Sequence, residues 1–114
     1  MKQLEHKLQC ACVRWLRLQY PNVLCFAIPN GGARSALTGA MLKAEGVVAG
    51  VPDLMIAVPK NGHAGLFVEM KVKPHRPSKA QVYVIKRLED AGYKVAVCYS
   101  FDEFVNIVTD YLAL

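Results

Sequence analysis

Acidic residues are scarce in this 114-residue chain: nine Asp and Glu stand against fourteen Lys and Arg, for a formal net charge of +5. Such a balance argues against a basic partner and for a polyanion, because basic surface attracts phosphates and raises encounter rates. Long apolar runs are also missing. None approaches the ~18 to 20 residues of a membrane-spanning helix, so no membrane partner is expected. The amino-terminal stretch MKQLEHKLQC carries charges at helical spacing and no apolar segment, unlike a secretory signal. Cys10, Cys12, Cys25 and Cys98 form no Cys-x-x-Cys pair and have no histidine cluster beside them, which argues against zinc. With no export signal, the thiols are expected to be free and reduced, in a cytoplasmic protein. Repeats, low-complexity tracts and linkers are absent. Residues 1–114 therefore read as one stand-alone domain, large enough for a core and too short for two.

What the chain has in plenty is apolar residues, 54% of the total with a mean hydropathy of +0.21. Their periods lay out the elements. Leu4, Leu8, Ala11, Trp15 and Leu18 form a stripe at helical spacing over residues 3–19, closed by Pro21-Asn22. Residues 23–28 (VLCFAI) read as a strand, and residues 34–45 as a shorter helix stopped at Gly46. Two apolar strands, 51–58 and 66–72, flank Lys60-Asn61-Gly62-His63, and Asn-Gly between apolar runs is a strong hairpin signal. Ser78-x-x-Gln81 is a capping box opening a helix to about Ala91, stopped by Gly92. Residues 94–99 alternate as a strand. Ser100-x-x-Glu103 opens a last helix with Phe101, Phe104, Val105, Val108 and Leu112 facing inward. The order α-β-α-β-β-α-β-α predicts an α/β fold with a central mixed sheet of about four strands flanked by helices.

Three charges do not belong in such strands. Asp53 is the lone charge of residues 47–59, and Glu69 and Lys71 sit within the apolar stretch GLFVEMKV. Ionised groups in buried strands are costly unless paired or bound to metal. Residues 69 and 71 share one strand face. A turn at residues 60–63 sets Asp53 opposite Glu69 or Met70, so both carboxylates and the ammonium meet in one patch. Pro52, lacking a ladder donor, puts Asp53 at the mouth of the sheet. Two carboxylates and a main-chain carbonyl suit a hard divalent cation such as Mg²⁺ or Mn²⁺. Lys71 would then orient the attacking water or stabilise charge on a pentavalent phosphate. A structural Asp53/Glu69–Lys71 ion-pair cluster accounts for the same residues equally well.

Gly50-Val51-Pro52-Asp53-Leu54 followed by Glu69-Met70-Lys71 resembles the PD-(D/E)xK nuclease signature, and more closely the VRR-NUC (virus-type replication-repair nuclease) family. Glu5 in the first helix, Asn30-Gly31-Gly32 after the first strand, Ser78 to Gln81, and Leu88 with Gly92-Tyr93-x-Val95 follow in matching order, over nearly the whole chain. The resemblance implies a restriction-endonuclease-like αβββαβ core and Mg²⁺- or Mn²⁺-dependent hydrolysis of DNA phosphodiesters. It implies metal ligation by Asp53, Glu69 and the Met70 carbonyl, with Lys71 as the catalytic lysine. It also points to a structure-specific endonuclease of replication, recombination or repair, working in a bacterial or phage-infected cell. Residues 72–77 (VKPHRP) depart from the family in being more basic and richer in proline.

Other residues carry two readings each. Glu5 is a first-turn glutamate favoured by the helix dipole, or a residue linked to the metal site. Gln81 completes a capping box, yet faces inward with Ile85 and Leu88, where a polar group needs a partner. Asn30, Gly31, Gly32 and Arg34 make a plain loop, or one whose amides approach a phosphate. Lys73, Arg76 and Lys79 are solvated charges or DNA contacts. His6, His63 and His75 read as surface residues, and Trp15 as core. The competing functions are a non-cleaving nucleic-acid-binding module of the same fold and a nuclease acting on RNA. The apolar excess in so short a chain predicts a homodimer, joined through the last strand and helix and suited to branched DNA such as junctions or flaps.

Overall fold

The computed structural model describes residues 2–29 and 36–113. Among these, the chain runs through α1 (Lys2–Gln19), β1 (Cys25–Ala27), α2 (Ala36–Ala44), β2 (Leu54–Ile56), β3 (Leu66–Met70), α3 (Lys79–Asp90), β4 (Lys94–Cys98) and α4 (Phe101–Leu112). The sheet order is β1-β2-β3-β4, antiparallel except for the parallel β3–β4 pair. This is the α-β-α-β-β-α-β-α order and mixed sheet that the periodicities predict, and it contains the αβββαβ core that the resemblance implies.

Local chemistry explains the boundaries. Ser78 and Gln81 close a full capping box on α3. Its far end is a Schellman stop, with the Tyr93 N–H donating to the Leu88 carbonyl and the Gly92 N–H to the Glu89 carbonyl. The second box is only half formed: Ser100 Oγ accepts from the Glu103 amide, but the Glu103 carboxylate accepts from Tyr99 N–H at 2.9 Å. Asn61 and Gly62 both take positive φ (49° and 82°), the mark of a type I′ turn, and Lys60 and His63 bridge across it. The paired parts of the hairpin are shorter than the apolar runs suggest. Pro52 and Pro59 bracket β2 and cannot donate to a ladder.

The core lies on one face of the sheet. Leu54, Ile56, Leu66, Val68, Met70, Ala96 and Cys98 pack there against Cys12 and Leu16 of α1 and Phe104, Val108 and Tyr111 of α4. Two helix faces differ from expectation. Leu4 and Leu18 of the α1 stripe are exposed, and the buried line runs through Cys12 and Leu16. A reduced cysteine packs as a small apolar residue, and Cys12 with Leu16 sets the buried line one position round from the expected stripe. On α4, Phe101 lies at the surface and Tyr111 is buried, its hydroxyl donating to the Val58 carbonyl at 2.6 Å. That bond satisfies the one polar atom of an otherwise apolar side chain. Trp15 packs half-buried against this core, meeting Tyr20, Phe101 and Phe104 edge-on.

The opposite face is covered by α3, with Val84 buried and Phe67 edge-on to Tyr93. The apolar face of α4 is used inside the core, so the segment expected to join two protomers has little apolar surface left. Apart from Phe101, exposed large apolar side chains include Leu18, Leu24 and Phe26, around the outer edge of β1, with Val82 and Tyr83 on α3. No helix among the described residues is long and apolar enough to cross a membrane.

Candidate active site

β2 and β3 pair Leu54 with Val68 and Ile56 with Leu66, so the register carried one step further puts Asp53 opposite Glu69. The structure closes that step with a side chain. Asp53 Oδ2 accepts from the Met70 N–H at 2.8 Å, which ties the carboxylate to the end of β3. Within an extended strand a residue's N–H and C=O lie on the same edge, so the Met70 carbonyl faces the same side. The residue across from Met70 in this register is Pro52, which has no N–H to offer that carbonyl. Proline here does two things: it ends β2 and leaves a main-chain oxygen beside two carboxylates.

Glu69 is the one buried acid among the described residues, only 3% exposed. Its Oε2 accepts from Gln81 Nε2 at 2.8 Å and lies 3.6 Å from Lys71 Nζ. Its Oε1 is buried with no hydrogen-bond partner. Gln81 therefore serves both of its readings: Oε1 accepts from the Ser78 N–H at 2.8 Å to finish the cap, and Nε2 holds the glutamate. Glu5, from the first turns of α1, lines the same open cavity of about 330 Å³ with Asp53, Glu69, Lys71, Ser78 and Gln81. It stands in line with Cys12 and Leu16 on the inner face of α1.

The electrostatics follow from this crowding. Burial first, then the charge of Asp53, pushes Glu69 up to about 7; Lys71 pulls the other way. Burial likewise raises Asp53, against the lowering effect of the Met70 amide, and Glu5 adds to the rise in both. Two acids that resist ionising together, one with an orphaned buried oxygen, form a site that a cation or a proton relieves. Among the described residues no three His, Cys, Asp or Glu side chains cluster as a ready-made metal cage. A cation would take the two carboxylates and a main-chain oxygen, leaving its other positions to water or substrate. That is the habit of Mg²⁺ and Mn²⁺ rather than of zinc.

Gly50 was legible as part of a motif but not as a structural requirement. Its φ is +94°, and a Cβ there would stand 2.5 Å from the Ala80 carbonyl oxygen and 2.9 Å from the Gln81 amide nitrogen. The turn before Asp53 is thus pressed against the first turn of α3, which sets Gln81 over Glu69. Only glycine permits both the angle and the approach.

Lys73, Arg76 and Lys79 are exposed just beyond the site, and His75 with them. Asn30, Gly31, Gly32 and Arg34 lie outside the described residues. A larger cavity, about 620 Å³, opens between α1 and β1. It holds no carboxylate and lies away from the charge cluster, so size does not mark the chemistry here.

The VRR-NUC domain profile matches residues 1–102. The chain belongs to the VRR-NUC domain family. This is a nuclease-type family, which the paired carboxylates and lysine fit. Two solved structures share the fold. One, a VRR-NUC domain protein, is 24% identical with a TM-score of 0.80, over 96% of this chain and 88% of the other. The second, a VRR-NUC domain, is 21% identical with a TM-score of 0.62, over 94% of this chain and 96% of the other. A comparison with curated protein sequences finds no match.

Proposed function

We propose that this VRR-NUC protein is a divalent-metal-dependent DNA endonuclease, using Asp53, Glu69 and the Met70 carbonyl to hold Mg²⁺ or Mn²⁺ and Lys71 as its catalytic lysine. The observation that carries the reading is the buried, unpartnered Glu69 Oε1 beside Asp53, with Lys71 Nζ 3.6 Å from the other oxygen. A Lys71–Glu69 ion pair alone leaves that oxygen facing Asp53, where the two carboxyls must share either a proton or a cation. The cation, when bound, supplies Lewis-acid activation of the phosphodiester and neutralises charge on the phosphate. Lys71 adds a positive group where negative charge grows on the phosphate, or orients the attacking water. Gln81 fixes the Glu69 carboxylate, and Glu5 adds negative charge that favours a cation in the cavity. Lys73, Arg76 and Lys79 extend a basic surface from the site along the path a phosphate backbone would take.

Branched DNA is the proposed substrate and a homodimer the proposed assembly, since a two-fold dimer sets two sites against two strands. The test is cleavage of labelled linear, flapped and four-way DNA, and of RNA, with Mg²⁺ and with Mn²⁺. Metal-dependent cuts in DNA support the reading; binding without cleavage would replace it with a nucleic-acid-binding module, and cleavage of RNA alone with a ribonuclease. Light scattering at micromolar concentration checks the assembly, with a mass near twice 12.6 kDa expected.

A further inference from the structure

Beside the carboxylate cavity lies a second one of about 400 Å³, lined by Lys73, Pro74, His75, Arg76 and Tyr99. It stands at the carboxyl ends of the parallel strands β3 and β4. The two cavities are joined through the backbone: the Lys71 N–H donates to the Cys98 carbonyl at 2.9 Å, and Tyr99 is the next residue. The Cα atoms of Lys71 and Lys73 can be no more than about 7 Å apart. Lys73 Nζ lies over the Tyr99 ring, 6.0 Å from its centroid. No acid lines the pocket. Glu103, the nearest carboxylate bonded to this segment, accepts from the Tyr99 N–H. Residues 72–77 supply four of the five lining residues.

From this juxtaposition we infer that the Lys73/His75/Arg76/Tyr99 pocket binds one unpaired nucleotide next to the scissile phosphate, the base stacking on Tyr99 and the phosphate meeting Lys73 and Arg76. Two fixed positive charges and an imidazole suit a phosphate. A half-buried aromatic ring beside them suits the face of a base. A base paired within a duplex cannot reach into such a pocket, so the site selects DNA that is already unpaired beside the cut. The volume matches one small ligand rather than a groove for a continuous duplex. This inference rests on the nuclease reading for its position relative to the cut, but the binding it describes is measurable without cleavage.

The test uses the metal-free protein and DNA carrying 2-aminopurine at successive unpaired positions of a flap, against the same base in a full duplex. Fluorescence quenching confined to one unpaired position next to the branch is expected. Tyr99→Ala should weaken binding of the branched DNA by roughly 5- to 150-fold, the range of one lost base–aromatic stack, and leave duplex binding unchanged; Tyr99→Phe should bind like the parent. Equal losses on branched and duplex DNA, or none on either, would overturn the pocket. Should Tyr99→Ala fail to fold by circular dichroism, the exposed pair Lys73→Gln and Arg76→Gln decides. Each should flatten the salt dependence on single strands by about 0.7 in log–log slope and reduce the preference for unpaired DNA. An undiminished preference in that double variant would also overturn it. Competition by inorganic phosphate as effective as by a mononucleotide would reduce the site to a phosphate contact and remove the base. A wild-type protein that quenches as expected but cuts nothing with Mg²⁺ or Mn²⁺ would remove the nuclease reading and leave the nucleotide pocket standing.

Discussion

The two faces of β3 differ more than any two elements of the molecule. Leu66, Val68 and Met70 point into the dry core against α1 and α4, while Phe67 and Glu69 turn toward α3, with Lys71 following. All five strand residues are buried. On the first face burial stabilises the fold, at about 25 cal/mol per Å² of apolar surface. On the second, burial raises the cost of holding a carboxylate, and the fold tolerates that cost where a ligand can relieve it. One strand thus serves stability and function on alternate residues, and the period of two keeps them apart.

Substitutions should separate the faces, and the largest effect is expected on activity. Asp53→Asn and Glu69→Gln should each lower cleavage by a factor on the order of 10³ or more, and Lys71→Ala by 10²–10³, as for loss of a group that acts on the transition state. Calorimetric titration with Mn²⁺ should show weakened binding in the two carboxylate variants and intact binding in Lys71→Ala. Undiminished binding in both carboxylate variants would defeat the metal assignment. The core face should respond in the opposite way. Phe104→Ala is expected to cost about 3–5 kcal/mol of stability and to leave metal affinity per folded molecule unchanged, which denaturant melts and the same titration would read together.

Gly50→Ala tests whether the site is held from outside its own residues. It removes no functional group, yet the added methyl meets Ala80 and Gln81 backbone atoms and the φ of +94° disfavours any side chain. A loss of about 1–3 kcal/mol is expected from strain, with cleavage falling as Gln81 is displaced from Glu69. Full activity at normal stability would show that the turn has room the structure does not suggest.

These residues also mark how far the sequence could be read. The order of elements, the α3 cap and the juxtaposition of Asp53 with Glu69 were all legible, because period two, a turn at Asn61-Gly62 and a capping box are local signals. Gln81 was legible as an inward polar residue, and its partner followed from the patch. The α1 face was misread by one position: Cys12 and Leu16 are buried, while Ala11 and Leu18 of the expected stripe are exposed. Gly50's role was hidden because it depends on the approach of α3, thirty residues later. The Tyr99 pocket was hidden for the same reason: residues 72–77 and Tyr99 meet only when β3 and β4 pair in parallel.

The smallest expected effect is the most particular to the functional face. Both carboxylates are raised by folding: Glu69 from 4.5 to about 7, chiefly by burial and then by Asp53, and Asp53 upward from 3.8, chiefly by burial. A raised folded-state value means that the folded protein holds a proton the unfolded chain has released. The associated stability is complete below the unfolded values and is lost as pH rises through the folded ones. Metal-free protein should therefore lose a few degrees of Tm between about pH 4.5 and pH 7 from this site, where most proteins gain or hold level. Mn²⁺ binds the ionised carboxylates, so it should restore most at the upper end of the window and flatten the profile. Glu69→Gln should flatten it without metal, and should be more stable than the parent at pH 8, whereas Phe104→Ala should shift the whole profile down without changing its slope. The difference in slope between parent and Glu69→Gln reports Glu69 together with the Asp53 carboxylate it faces. Parallel profiles for the two would mean that Glu69 ionises freely in the fold, and the argument for a cation at its orphaned oxygen would fall with it.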